Sequence, residues 1–221
     1  MKKLSVVLMA LAIALAGSTV AGAAPYVSIN VGSVWVEDSD YSDSGTYSDG
    51  YTFRDSGEFS FDTGFGMTAA FGNAFDSGFR LELEFGYKVN DYDEAEGTYS
   101  EYDRQGFQDY SEDYSDRLSG DIMTSSFMFN GFYDFTPRSP VSPFIGAGIG
   151  FANIESDFDY YGSEDDNVFA YQLAAGVAFA LNQNFKVDVQ YRFFGTEDPD
   201  FYSLETEYTT HNLMVGLRSS F

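Results

Sequence analysis

The 221-residue sequence has no cysteine, one histidine and one tryptophan, and its 11 Lys and Arg stand against 35 Asp and Glu. Without cysteine there is no disulfide framework and no lipid-modified N-terminal cysteine. The shortage of cations leaves a formal net charge of −24. So acidic a surface repels nucleic acid, which excludes nucleic-acid binding. Beyond residue 16 there is no apolar run long enough for a transmembrane helix, which needs about 20 residues. Acidic chains that stay disordered are poor in aromatic residues. Here aromatics make up 19% of the chain, so charge and aromatics must be segregated along it.

What is present begins with Met1-Lys2-Lys3, an apolar run from Leu4 to Ala16, and an Ala-x-Ala site at Ala21-Gly22-Ala23. This is the three-part pattern of a secretory signal peptide. It predicts a leader over residues 1–23 and a single mature domain over 24–221. Loss of Lys2 and Lys3 takes the net charge from −24 to −26.

The clearest stretch is Phe79–Val89. Its odd-numbered residues (Phe79, Leu81, Leu83, Phe85, Tyr87, Val89) are large and apolar; its even-numbered ones are charged or Gly. A period of two is that of an extended strand. The same alternation recurs over Pro25–Val36, Glu58–Gly72, Met123–Phe135, Phe144–Ile154, Phe169–Leu181, Phe185–Phe193 and Thr209–Phe221. Long polar connections fall at Glu37–Gly57, Asn90–Ser119, Glu155–Asn167 and Gly195–Glu207, and short turns separate the other pairs. Eight strands with strictly alternating long and short connections make an all-β, antiparallel up-and-down barrel. Short turns on one end and long loops on the other are the asymmetry of an outer-membrane barrel.

A soluble ligand-holding barrel would turn the apolar face inward; a membrane barrel turns it outward. The opposite face decides between them. It carries Gly64, Gly66, Ala70, Gly146, Gly148, Gly150, Ala170, Ala174, Gly176, Ala178 and Ala180, small residues that suit a crowded interior and not a solvated surface. The charges on that face then enter the lumen: Arg80, Lys88, Lys186, Arg192 and Arg218 with Glu58, Asp62, Glu82, Glu84, Asp134 and Asp188. An eight-stranded barrel is only wide enough for its own side chains. Shielded charges persist when paired. The expectation is an ion-pair network plugging the interior.

Asn130-Gly131-Phe132-Tyr133-Asp134-Phe135, Pro143-Phe144-Ile145-Gly146-Ala147-Gly148-Ile149-Gly150, Tyr171-Gln172-Leu173-Ala174-Ala175-Gly176-Val177, Tyr191-Arg192-Phe193 and the ending His211–Phe221 resemble small Gram-negative outer-membrane barrels of the opacity-protein and outer-membrane-protein-A-like type. The resemblance implies residence in the Gram-negative outer membrane among lipid and lipopolysaccharide, as a monomer. It also implies that Leu213, Val215, Leu217 and Phe221 form the signal read by the barrel-assembly machinery; Ser219 departs from the aromatic usual at its position. Family roles include adhesion, host interaction and envelope integrity. The expected role is therefore structural or surface-interactive, toward an extracellular ligand the sequence does not name, with a narrow solute pore as the alternative.

Residues that evoke catalysis or cofactors have plainer readings. His211 lacks a nucleophile two residues away, where Thr209 and Leu213 stand, so it reads as a strand-end histidine near the outer interface and the protein as a non-enzyme. Gly146–Gly150 misplaces the third glycine of a dinucleotide loop, since Phe151 occupies that position, and no helix follows. No cofactor is expected. The four long connections hold 27 of the 35 carboxylates and only Arg54, Arg104 and Arg117 as cations, with Tyr-Ser-Asp or Tyr-Ser-Glu at Tyr41, Tyr47, Tyr99, Tyr110 and Tyr114. They read as mobile, solvated low-complexity loops. Weak divalent-cation binding is the sharper alternative, although Asp38–Ser42 opens like a calcium loop and then has Asp43 where Gly is required.

Overall fold

The computed structural model describes residues 23–158, 162–201, 204–205 and 208–221. Residues 1–22 of the expected leader lie outside them. The strands are β1 (Ala23–Val36), β2 (Ser39–Thr46), β3 (Thr52–Phe61), β4 (Gly64–Phe75), β5 (Phe79–Tyr102), β6 (Gln108–Arg117), β7 (Gly120–Asp134), β8 (Val141–Phe158), β9 (Gly162–Ala180), β10 (Phe185–Thr196), β11 (Asp200–Phe201), β12 (Leu204–Glu205) and β13 (Thr209–Ser220).

Eight of them close a ring in the order β1-β4-β5-β7-β8-β9-β10-β13, every neighbour antiparallel, with β13 returning to β1 from Tyr26↔Ser220 to Val36↔Thr210. Closure leaves no open edge in the wall, which matters because lipid offers backbone groups no hydrogen bonds. The apolar side of the alternation faces out: Ile29, Val31, Phe85, Ile149, Leu173, Val189 and Val215 are all exposed. Leu83 is the exception at 7% exposure. It lies between Phe71 and Phe129 in one cross-strand row.

The structure departs from the sequence reading above the wall. The expected strand over residues 58–72 is two strands, β3 and β4, separated at Asp62 and Thr63. The loops expected to be mobile are largely strand. β5 runs on to Tyr102, and β2-β3-β5-β6 form a four-stranded sheet standing on one side of the barrel. The pairing of β3 with β5 shifts between Phe59 and Phe61. The parity of this segment changes at the Asp62–Thr63 break, so Phe61, opposite Tyr92, and then Phe59, Gly57 and Asp55 continue the inward face in place of the even series. Glu58 and Asp62 are consequently exposed and do not enter the lumen.

Candidate functional site

Two regions concentrate the polar chemistry. In the first, the lumen, strand parity aims the side chains inward and the neighbouring strands supply their partners. Nearest the short turns, the Arg80 guanidinium donates to both Asp134 oxygens at 3.0 and 3.1 Å and to Glu82 Oε1 at 2.9 Å. The Tyr26 hydroxyl donates to that same Glu82 oxygen at 2.5 Å. Arg218 donates to Asp188 at 2.7 Å and lies 3.6 Å from Asp134. Lys186 is half-buried at this end and donates to the Pro137 carbonyl at 3.4 Å. The Phe132 ring packs 4.5 Å from the Arg80 guanidinium carbon.

One layer up, Arg192 grips Glu84 through both carboxylate oxygens at 2.7 and 2.6 Å, and Gln172 bridges Glu84 to Asn130 at 3.0 and 2.6 Å. Higher still, Lys88 lies 3.1 Å over the Phe194 ring, with no hydrogen-bond partner for its Nζ among the described residues. The gap among Glu84, Lys88, Arg192, Phe194 and Asn212 measures about 10 Å³, the room of a single water. Above it the mouth is closed by apolar side chains, Val36, Ile122, Ile154, Val168, Phe194 and Tyr208. The Thr124 hydroxyl donates to Tyr208 at 2.7 Å across this closure.

With Glu58 and Asp62 outside, five cations face four anions; the three arginines are paired, while among the described residues neither Lys88 nor Lys186 has a carboxylate at contact distance. The alternation pointed to small interior residues but missed the large ones. Phe132, Phe144, Phe194, Met128 and Met214 are buried there as well. Their even numbers in the parity series were the available signal. Tyr208 precedes its strand and carried none.

The second region is the projecting sheet. A single row across it reads Tyr41–Gly57–Gly97–Tyr114. The two tyrosine hydroxyls meet over the central glycines, and a Cβ at Gly97 would lie 2.7 Å from both. Tyr114 also donates to Asp55 at 2.7 Å, while Tyr47 and Tyr99 share a hydrogen bond of 2.8 Å and Tyr99 donates to Glu101 at 2.9 Å. Tyr41 stacks on Phe59 at 4.6 Å. Burial, then the bonds to Tyr41 and Asp55, push the Tyr114 phenol upward; the Tyr47 and Glu101 bonds do the same to Tyr99. The opposite face carries Asp40, Glu58, Glu96, Ser56, Thr98, Asp113 and Ser115, which wall an open groove of about 870 Å³. Desolvation, followed by the fields of Asp38, Asp40 and Glu96, raises the Glu58 carboxyl above its ordinary range.

His211 lies on the outer rim. Its Nε2 is 2.5 Å from Glu37 Oε1 and its Nδ1 meets the Tyr191 hydroxyl. The relay ends in a phenol; among the described residues no serine or threonine hydroxyl joins it. Leu213, Val215, Leu217 and Phe221, the residues expected to form an assembly signal, are all exposed on the outer face of β13 and just past its end. Among the described residues no group of three or more His, Cys, Asp or Glu is arranged to hold a metal ion.

The family described as outer membrane protein beta-barrel domain matches residues 4–221. The chain belongs to that family. Gram-negative outer-membrane residence follows from it, and the short turns then face the periplasm and the projecting sheet the outside. Among relatives, outer membrane protein PagN of Salmonella typhimurium is 22% identical over 145 residues, covering 55% of this chain and 61% of PagN. RC1281 of Rickettsia conorii, whose name describes it as a candidate adhesin, is 28% identical over 167 residues, 64% of this chain and 67% of its own. This chain thus spans about two thirds or less of either relative. In fold, the crystal structure of Neisserial surface protein A superposes with a TM-score of 0.54 at 18% identity, over 90% of this chain and 99% of that one.

Proposed function

We propose that this barrel is a surface-interaction protein whose projecting sheet makes the contacts, with the wall as a sealed membrane anchor. The observation that carries the reading is the ordered β2-β3-β5-β6 sheet, which places exposed tyrosines and carboxylates outside the membrane on strands and not on loose loops. Binding groups on rigid elements are held in place more closely than groups on loops. The kinship with RC1281 supports the same direction, since that protein's name describes a candidate adhesin.

The lumen speaks against a pore. Its arginines and carboxylates are engaged with one another and its mouth is filled by apolar side chains. The Glu37–His211–Tyr191 relay is read as a clasp between β1, β10 and β13, not a catalytic group. The outward row Leu213, Val215, Leu217 and Phe221 supports recognition by the assembly machinery.

The deciding experiment displays the wild type, and a variant with residues 95–115 replaced by a short Gly-Ser turn, on cells lacking other adhesins. Attachment to protein-coated and cell-monolayer surfaces is compared at equal surface levels. Attachment lost with the hairpin is the expected result. Equal attachment by both, or steady conductance of the wild type in planar bilayers, would overturn the reading.

A further inference from the structure

The barrel wall has no free edge, but the projecting sheet has two, β2 and β6. They are not equivalent. The short strand β12 lies against β2. Among the described residues β6 pairs with β5 and with no other strand. Nearly all of its ten residues are exposed. A strand in this position presents a row of backbone N–H and C=O groups ready to accept another chain.

We propose that the free edge of β6 receives an extended, lysine- and arginine-rich segment of a partner protein as an added strand. This rests on the surface-interaction reading and names the partner's chemistry. The charge of the edge selects that occupant. Residues 91–117 hold ten carboxylates against Arg104 and Arg117. On β6 Asp113 lies on one face and Glu112 and Asp116 on the other, while Asp109 is the extra residue where the register shifts between Glu101↔Tyr110 and Tyr102↔Gln108. A segment lying alongside would bring successive side chains past a carboxylate on each face. Tyr110, exposed among the acids, offers a ring face for guanidinium or ammonium groups. A second copy of this chain is a poor occupant, because like charges directly opposite one another across a strand pair destabilise it. Backbone pairing supplies affinity in such complexes, and side chains at alternate positions supply selectivity.

The test uses the full chain folded in zwitterionic micelles. The probes are a labelled ten-residue peptide alternating Lys and Thr, two copies N-methylated on one or the other alternate set of amides, and a counterpart with Glu for Lys. An added strand turns only one set of its amides toward β6. One methylated peptide should therefore bind at least tenfold more weakly while the other binds like the parent, and the Glu peptide should not bind. Amide exchange within residues 108–117 should slow on binding. Asp109→Asn, Asp113→Asn and Asp116→Asn together should weaken the parent peptide at least tenfold with barrel gel mobility unchanged. Equal binding by both methylated peptides would reduce the effect to charge alone and overturn the proposal, as would absence of binding or protection confined to β2. If hairpin-deleted cells attach normally while the peptide result holds, it is the attachment reading that falls and not the edge.

Discussion

The lumen and the projecting sheet are built from the same alternating strands and are both rich in carboxylates, yet their charges live under opposite rules. Inside the wall Glu84 is nearly dry and gripped by Arg192. On the sheet Asp109, Glu112 and Asp116 stand in water. A buried pair is weak evidence of net stabilisation, but breaking it is costly, because the remaining charge has nowhere to go. An exposed charge is solvated with or without a partner and contributes little. The lumen is thus a region where charge is structural, and the sheet one where charge is available for recognition.

The sharpest way to break that contrast is Arg192→Ala. It leaves Glu84 buried without its ion-pair partner, and a loss of about 3–5 kcal/mol is expected, read by urea unfolding in micelles and by heat-modified gel mobility. Next, one substitution should behave differently in the two regions. Val31→Arg puts a charge on the lipid face and should cost about 2–4 kcal/mol, whereas Ser111→Arg on β6 should stay within about 0.5 kcal/mol; the same unfolding assay compares them. Within the sheet, Gly97→Val pushes against the Tyr41 and Tyr114 hydroxyls. Overpacking of this kind costs about 1–3 kcal/mol. It should appear as faster proteolysis between residues 91 and 117 with the barrel's gel mobility intact.

The smallest effect is one of pH. The Glu58 carboxyl is raised by desolvation and by Asp38, Asp40 and Glu96. The folded sheet therefore binds this proton more readily than the unfolded chain, and its stability falls as pH rises through the raised value. Amides of β3 and of β5 beyond Tyr92 should exchange more slowly at pH 5 than at pH 7 after correction for intrinsic rate. Glu58→Gln should remove the difference.

The wall was legible because alternation is a local property: Phe79–Val89 states its own faces without reference to any other segment. Parity also told which side chains enter the lumen, but not which of them meet. Arg80 and Asp134 are brought together only by the pairing of β5 with β7. Parity failed where the backbone departs from simple alternation, so Glu58 and Asp62 were assigned to the interior. The projecting sheet was read as loop because Tyr-Ser-Asp repeats are polar along the chain. Their order comes from across the sheet, where Tyr41 stacks on Phe59 and meets Tyr114. Cross-strand stabilisation of that kind is a tertiary property.

The seam between β1 and β13 gives the ring a sequence in time. Every other neighbouring pair in the wall is consecutive along the barrel's path, linked by a turn or a single excursion outward, and can form as soon as its own stretch of chain is available. The pairing from Tyr26↔Ser220 to Val36↔Thr210 joins strands from opposite ends of the described chain. Long closures carry the greater entropic cost and are made late. Until β13 arrives, β1 is an open edge beside lipid or water, with its backbone groups exposed. The β1–β13 pairing is therefore the step that turns a curled sheet into a barrel, and whatever shelters β1 before it forms governs whether the chain closes on itself or on a neighbour.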